Sequence, residues 1–305
     1  MTRILITGGL GFVGRNLEKR LIKKGHEVYI FDFTRATRDR YYHGDIIDYH
    51  NISQAFKNVK PEVVFHLAAK ISRKECEEAP YMSIETNVVG TLNVVDLCKE
   101  YSSRLIYSGS SEEYGDAFNE ANNYTVSEDT PIGIPTSYYA MTKRMSDEVI
   151  QYNAAYNNLI ATTVRFCMLY GAEDDSEYRS AVTRFIYKAI RGDEIVAHKD
   201  TERSWCHIDD AIDAMMLILN RNQEKSYELY NINNEEPVSA IDLAKTIIKL
   251  TNSKSKIKIT PIEPTIIPIK RMGFERMKNI FGWEPKISLN DGLKMTIKDI
   301  INHNF

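Results

Sequence analysis

The chain has 305 residues, 43% of them hydrophobic, which is enough for a sizeable core in one large domain or two modest ones. A net charge of −3 and a pI near 6.2 give no reason to expect nucleic acid or an anionic membrane as partner, because both select for clustered positive charge. No apolar run approaches the roughly 18–20 residues that span a bilayer.

The N-terminus enters a polar, Gly-rich turn after a few residues, which argues against a signal peptide. The four cysteines, Cys76, Cys98, Cys167 and Cys206, lie far apart without metal-type spacing. The expectation is a cytoplasmic protein with buried free thiols and no metal.

In chain order, Arg3 to Thr7 is a short apolar run that meets the Gly-rich turn. Phe12 to Lys24 follows with helical spacing, and Phe12, Val13, Leu17, Leu21 and Ile22 are expected on one face. Glu27 to Asp32 is β-rich and apolar, and so are Val63 to Leu67, Leu105 to Tyr107 and Ala161 to Phe166. Between these strands Ile84, Val88, Leu92 and Val95 mark a long helix. Ser137 to Ala155 marks another, with Met141, Met145, Val149 and Tyr152 in step. Continuous apolar strands alternating with amphipathic helices predict an α/β fold, its parallel sheet covered on both faces.

After about Arg165 the rhythm changes to shorter, mixed segments. Helices are predicted at Ala181–Arg191, Asp209–Asn220, Ser239–Leu250 and Leu289–Ile301, with Ser239 as an N-cap. Pro261, Pro264 and Pro268 punctuate an irregular stretch. The division expected is 1–165 for a dinucleotide-binding domain and 166–305 for a mainly substrate-binding part that interleaves with it.

The segment ILITGGLGFVG puts Gly8, Gly11 and Gly14 between a strand and a helix. A turn there lets backbone approach a pyrophosphate closely, and the helix N-terminus offers free N–H groups and a favourable dipole. Asp32 ends the second strand, 18 residues after Gly14, where a carboxylate accepts from the adenosine ribose hydroxyls. That carboxylate repels a 2′-phosphate and favours NAD over NADP, although Arg35 and Arg38 work against the preference. Asp45, in HGDI, is equally readable as an adenine contact and as a turn residue.

In PTSYYAMTK, Tyr139 and Lys143 stand four apart, on one helical face. A tyrosine hydroxyl titrates near 10. To act as a base near neutrality it needs a positive neighbour, which a lysine one turn away with an oxidised nicotinamide nearby would supply. The strand before that helix runs into LIYSGSSEEYG, clustering Ser108, Ser110 and Ser111 where open α/β sheets bind ligands.

Together these landmarks resemble the extended short-chain dehydrogenase/reductase superfamily, in its NAD-dependent epimerase/dehydratase branch. The resemblance spans nearly the whole chain. It takes in TGGLGFVG, Asp32, GDI at Gly44 to Ile46, HLAA at His66 to Ala69, Asn87, the serine-rich segment ending in Tyr114–Gly115, Tyr139 and Lys143. It continues through LYG at Leu169 to Gly171, RSWCHIDD at Arg203 to Asp210 and GWEPKISLNDGL near the C-terminus.

What the resemblance implies is a Rossmann-type doubly wound sheet with a smaller mixed α/β substrate-binding part. NAD would be held by Gly8, Gly11, Phe12, Val13, Gly14, Asp32, Asp45, Ile46, Leu67, Ala68, Ala69, Asn87, Ser108, Tyr139 and Lys143. Tyr139 would take a proton from a sugar hydroxyl, usually at C4′, with Lys143 holding the nicotinamide ribose. Ser110 would bond the same oxygen, with Ser111 beside it at the substrate. Asn87 would support the site or simply brace its helix, and Arg203 would pair with the substrate pyrophosphate. Asp209 and Asp210 are expected to cap the helix they open. A homodimer through the helices around Ile84–Tyr101 and Ser137–Tyr156 is also implied, although their apolar stripes suit packing on the sheet equally.

Three places depart from the family pattern. Met168 replaces a frequent asparagine, Ala172 a frequent proline, and Pro261 to Arg276 lacks a second phosphate arginine in the usual register, with Lys270 and Arg271 as substitutes. Glu112 matches an acid/base glutamate of 4,6-dehydratases and some decarboxylases, but Ser111 precedes it where dehydratases carry Asp. Glu113 replaces a usual valine.

The leading expectation is a nucleotide-sugar 4-epimerase, because epimerisation demands no further acid/base group. A 4,6-dehydratase using Glu112, a 4-dehydrogenase, a 4-ketoreductase and a decarboxylase stay open. A non-catalytic NAD-binding regulator is the alternative of a different class, and intact Tyr139, Lys143 and Ser110 weigh against it.

Overall fold

The apolar runs of the first half become strands, and the amphipathic runs between them become helices, in a computed structural model describing residues 1–120, 125–171, 180–234, 236–262 and 266–304. Ala172 and Pro264 lie outside the described residues. The elements begin with β1 (Arg3–Thr7), α1 (Phe12–Lys23), β2 (Glu27–Asp32), β3 (Tyr41–His43), α2 (Tyr49–Val59) and β4 (Val63–His66). Next come α3 (Arg73–Glu78), α4 (Pro80–Ile84), α5 (Gly90–Glu100), β5 (Arg104–Ser110), α6 (Ala117–Glu120), α7 (Tyr138–Tyr156) and β6 (Ala161–Phe166).

The second half carries β7 (Met168–Tyr170), α8 (Ala181–Arg191), β8 (Ile195–His198), β9 (Glu202–His207), α9 (Ile208–Asn220) and β10 (Tyr227–Ile232). It ends with β11 (Pro237–Ser239), α10 (Ala240–Leu250), β12 (Ile257–Thr260), β13 (Ile269–Lys270), α11 (Glu275–Phe281) and α12 (Leu289–Asn304).

A seven-stranded sheet runs in the order β10-β6-β5-β4-β1-β2-β3. The pairs β1–β2, β1–β4, β2–β3 and β4–β5 are parallel. This is the doubly wound arrangement, in which the order reverses between β1 and β4. Ligand crevices open at the carboxyl ends of the strands at such a reversal.

The chain divides into two compact units. The first comprises Met1–Glu113, Ser137–Arg165 and Met216–Tyr230. Its core gathers Leu5, Phe31, Phe56, Val64, Leu105 and Ile150. The second comprises Tyr114–Thr136, Phe166–Met215 and Asn231–Phe305. It holds a sheet in which β9 pairs with β11, β13 and β7, together with the parallel pair β8–β12. Its own core includes Phe185, Trp205, Leu243, Ile247, Leu293 and Ile297.

Several local expectations are met and others corrected. Ser239 caps α10, its hydroxyl accepting from the Asp242 amide at 3.0 Å. On α1 the buried positions are Phe12, Gly14, Leu17, Glu18 and Leu21, whereas Ile22 is exposed. Five residues beyond Leu17, Ile22 sits about 140° around the helix from it.

Asp210 does not cap the helix it opens. Its two carboxylate oxygens accept instead from the amides of Lys286 and Ile287 at 3.1 and 3.0 Å. The long helix read across Ile84 to Val95 is interrupted by a π-helical segment, Glu85–Val89, between α4 and α5. Such wide turns are rare and concentrate at functional sites; this one carries Asn87.

On α7 the buried face is Ala140, Thr142, Lys143, Ser146, Asp147, Ile150, Asn153 and Ala154. The stripe of Met141, Met145, Val149 and Tyr152 lies outside it, half-buried or exposed. Among the described residues no helix is long and apolar enough to cross a membrane.

Candidate active site

The turn after β1 is too tight for side chains. Gly8 has φ of +70°, and a Cβ there would stand 2.6 Å from the Ala68 amide nitrogen. At Gly14 a Cβ would meet the Gly8 carbonyl oxygen and Gly9 at 2.6 Å. Gly11 differs, for a Cβ there would approach only the Gly8 oxygen, at 3.2 Å, and would otherwise fill the space above the turn. Gly11 is also the N-cap of α1, with no capping side chain and no acid in the first turn. Phe12, buried, and Val13, half-buried, begin that helix. A bare helix N-terminus under an open glycine fits a pyrophosphate.

At the end of β2, Asp32 is buried and held by backbone. Its oxygens accept from the Leu10 amide at 3.0 Å and the Thr34 amide at 2.9 Å. A carboxylate fixed this way keeps lone pairs for vicinal hydroxyls. Arg38 is drawn into an ion pair with Glu18, so one of the two arginines set against the NAD preference is already neutralised. Asp45 is exposed and bonds the Ile47 amide at 3.1 Å, a turn geometry. Ile46 is buried against Gly90 of α5, where a Cβ would collide with its Cδ1 at 2.5 Å.

Leu67, Ala68 and Ala69 follow β4, with the Leu67 amide bonded to the Thr7 carbonyl at 3.0 Å. Asn87 is buried. Its amide group donates to the Lys70 carbonyl and the Thr142 hydroxyl, and its oxygen accepts from the Lys70 amide at 2.7 Å. It thereby ties the chain after β4 to α7. His66 bridges Thr7 and Thr91 at 2.7 and 3.0 Å. Burial, with Lys143 nearby, pulls its pKa down to about 3, so the ring is neutral.

Ser110 ends β5, and its hydroxyl is paired with that of Tyr139. The Ser110 Oγ also accepts from the Glu112 amide at 3.2 Å. Tyr139 and Lys143 share the first turns of α7, which Ser137 caps through the Ala140 amide at 3.1 Å. The Lys143 ammonium lies 4.2 Å from the centre of the Tyr107 ring, a cation–π contact. Ser108 is half-buried on β5, and Ser111 is buried at the start of a 3₁₀ turn, Ser111–Tyr114, that also carries Glu112.

In the protein alone the electrostatics at Tyr139 are set first by burial. Burial pushes it well above its ordinary value, Glu112, Glu113 and Cys76 push the same way, and the Ser110 hydrogen bond pulls it down. Burial draws Lys143 down to about 8, against the pull of Glu113 and Asp147.

Glu113, which had no role on sequence grounds, now has one. It is fully buried. One oxygen accepts from the Ser110 amide at 2.7 Å and the other from Arg165 Nε at 2.8 Å. Arg165 also reaches Asp147 at 3.0 Å, and Asp147 accepts from Thr163 at 2.6 Å and Tyr227 at 2.7 Å. A buried acid–guanidinium–acid chain therefore underlies Ser110 and Lys143. Its members are scattered in sequence, so no spacing motif could have found it.

In the second unit, Arg203 on β9 donates to the carbonyls of Glu202, Pro268 and Ile267 at 2.7–2.8 Å. Arg271 pairs with Glu202 at 3.2 Å, Lys270 lies over the Phe118 ring at 5.8 Å, and Met168 is exposed.

Known proteins share this sequence pattern and this fold. The chain is 29% identical over 318 residues to a UDP-N-acetyl-alpha-D-glucosaminuronate decarboxylase of Bacillus cytotoxicus, covering 97% of each. It is 27% identical over 306 residues to UDP-glucuronic acid decarboxylase 1 of Danio rerio, covering 97% of this chain and 72% of that one. Its structure superimposes on a UDP-glucose 4-epimerase of Thermotoga maritima, solved with UDP-glucose, with a TM-score of 0.90, 25% identity and 98% coverage of each. Residues 4–233 match the sequence model of the NAD dependent epimerase/dehydratase family. The chain belongs to that family, as an NAD-dependent enzyme that performs oxidoreductive chemistry at C4′ of a nucleotide sugar.

Proposed function

We propose that the enzyme is a nucleotide-sugar 4-epimerase, which oxidises C4′ transiently and reduces it again from the other face. The observation that carries this reading is the Ser110–Tyr139 hydroxyl pair beside buried Lys143, in the unit that also holds the glycine turn. NAD, when bound, supplies the acceptor that takes the C4′ hydride and gives it back. Tyr139 takes the proton from the C4′ hydroxyl and later returns it. Ser110 holds the same oxygen, accepting and donating through one hydroxyl. Lys143 binds the nicotinamide ribose and keeps positive charge beside the phenol.

Gly8, Gly11, Phe12, Val13 and Gly14 receive the pyrophosphate, and Asp32 takes the adenosine ribose. Asp45 and Ile46 border the adenine. Leu67, Ala68, Ala69 and Ser108 line the path to the nicotinamide, with Asn87 bracing it. Ser111 and Arg203 serve the substrate. The first unit is the NAD-binding part and the second mainly the substrate-binding part. The test is a panel of UDP-, GDP-, dTDP- and CDP-sugars followed by mass and proton NMR. Unchanged mass with inverted C4′ supports the reading, and loss of water or of carbon dioxide sinks it.

A second reading, decarboxylation of a nucleotide-linked uronate, is favoured by one observation. Glu112 lies close enough to Tyr139 for its charge to raise the phenol's pKa, and both curated relatives named above are decarboxylases. Once C4′ is a ketone, loss of the carboxylate as carbon dioxide leaves a carbanion at C5′ that an acid must protonate, and Glu112 would be that acid. The two readings differ in one variant. As an epimerase, Glu112→Gln is expected to keep turnover within about tenfold of the parent. Decarboxylation would instead fall by about 10²–10⁴ on loss of a proton-transfer group. Steady-state rates on UDP-glucose and UDP-glucuronate separate the cases.

We further propose that two copies pair through α4, α5 and α7. Tyr81, Met82, Val89 and Leu92 from one side and Tyr152 and Tyr156 from the other leave apolar surface exposed on adjoining helices. Contiguous patches of this kind mark association sites. The double variant Leu92→Glu and Tyr152→Glu is expected to sediment as a monomer while binding NAD as tightly as the parent. A parent chain that already sediments as a monomer at micromolar concentration removes the proposal.

A further inference from the structure

The strongest feature outside the proposed catalytic set is the buried chain Glu113–Arg165–Asp147, exposed by 0%, 2% and 1%. Charges are taken out of water only at a cost that good geometry must offset. Here every carboxylate oxygen has a donor. Glu113 bonds the Ser110 amide and Arg165 Nε; Asp147 bonds Arg165, Thr163, Tyr227 and Gln151. Arg165 supplies one positive charge against two negative ones. The second cation in the same buried region is Lys143, 2% exposed, four residues before Asp147 on α7. With both acids ionised, this ring of four groups balances when Lys143 is an ammonium; burial pushes Glu113 up to about 7, so that state belongs to the alkaline side of neutrality.

We propose that Glu113 is a positioning residue for the hydride-transfer centre: one carboxylate oxygen clamps the Ser110 backbone, and the other, through Arg165 and Asp147, joins it to the helix that carries Lys143. Two independent observations carry this. The first is the 2.7 Å bond from the Ser110 amide, which fixes the residue whose hydroxyl pairs with Tyr139. The second is the uneven charge of the ring. The groups that act on Lys143 are Glu113 in the 3₁₀ turn, Asp147 on α7, Tyr107 on β5 and neutral His66 on β4, with Arg165 on β6 beyond the two acids. Of these, only Glu113 and Asp147 bring negative charge, and both pull its proton affinity up against burial. Asp147 is engaged by two hydroxyls, an amide and Arg165, which leaves Glu113 as the acid that touches both the Ser110 backbone and the ring.

The inference rests on the reading of Lys143 as part of the centre, but its test needs no sugar substrate. Protein labelled with [ε-¹³C]lysine is titrated by NMR, and the Lys143 signal is identified by its absence from Lys143→Met. Glu113→Gln is expected to lower the Lys143 midpoint by about one pH unit, a tenfold loss of proton affinity, because a nearby negative charge is removed. Glu113→Asp, with charge kept but withdrawn by one methylene, is expected to fall between parent and Gln. If the Gln variant fails to fold, the parent-to-Asp comparison decides. A midpoint shared by the parent and every variant that folds overturns the proposal. The alkaline limb of NADH formation on mixing with UDP-glucose should shift in the same order. A substrate panel without any turnover would undo the proposed function while leaving the titration result intact.

Discussion

Replacing Tyr139 with Phe is expected to slow reduction of bound NAD by nucleotide sugar about 10²–10⁴-fold, the range for removal of one positioned proton-transfer group. Affinity for NAD should stay within a few-fold of the parent. The glycine turn, the bare N-terminus of α1 and Asp32, which are proposed to hold the cofactor, are built without the phenol. Burial holds Tyr139 protonated through neutral pH in the protein alone, and the Ser110 hydroxyl is the contact that eases ionisation. On the proposed reading the phenol becomes a base only once positive charge accumulates beside it, so that proton removal waits for the assembled complex. The measurement is absorbance at 340 nm in single-turnover mixing, alongside calorimetric titration with NAD. A Phe variant that reduces NAD at the parental rate would remove Tyr139 from the chemistry. A Phe variant that loses NAD binding altogether would assign the ring to cofactor binding instead.

Much of the fold was legible because its signals are local. Continuous apolar strands ending at Thr7, Asp32 and His66 set the sheet, and the glycines at 8 and 14 mark a turn that rejects side chains. What escaped was decided by contacts between distant residues. On α7 an apolar stripe at Met141, Met145, Val149 and Tyr152 satisfies helical periodicity, yet it is the polar face with Lys143, Ser146 and Asp147 that is buried. Periodicity finds an apolar stripe but does not say whether a sheet or a partner covers it.

Asp210 looked like a helix cap by position and instead secures the amides of Lys286 and Ile287, 76 and 77 residues away. The π-helical segment around Asn87 has no composition signature. Glu113 was unaccounted for in the sequence because its partner Arg165 lies 52 residues downstream, on β6. The pair Tyr139 and Lys143 has a short motif; the buried charges of Glu113, Arg165 and Asp147 do not.

Those charges should dominate the stability of the first unit. Arg165→Met keeps the approximate length of the side chain but leaves Glu113 and Asp147 as two buried acids without their shared cation. Breaking a buried ion pair from one side costs about 3–5 kcal/mol. For a chain of this size that is a fall in Tm on the order of 5–10 °C. The loss should also depend on pH, with a sign that follows from linkage.

In the parent, burial pushes Glu113 up to about 7 even against the pull of Arg165. Without the guanidinium its folded pKa rises further above the unfolded value of about 4.3. A carboxyl raised on folding favours the protonated form, so its destabilisation is relieved at low pH and grows as pH rises through the folded pKa. The gap in Tm between Arg165→Met and the parent should therefore be narrow near pH 5 and widest near pH 8–9. Calorimetric melts at three pH values measure it. A gap that is constant across that range would mean that the variant suffers from lost packing, and that the two acids are not held together by charge.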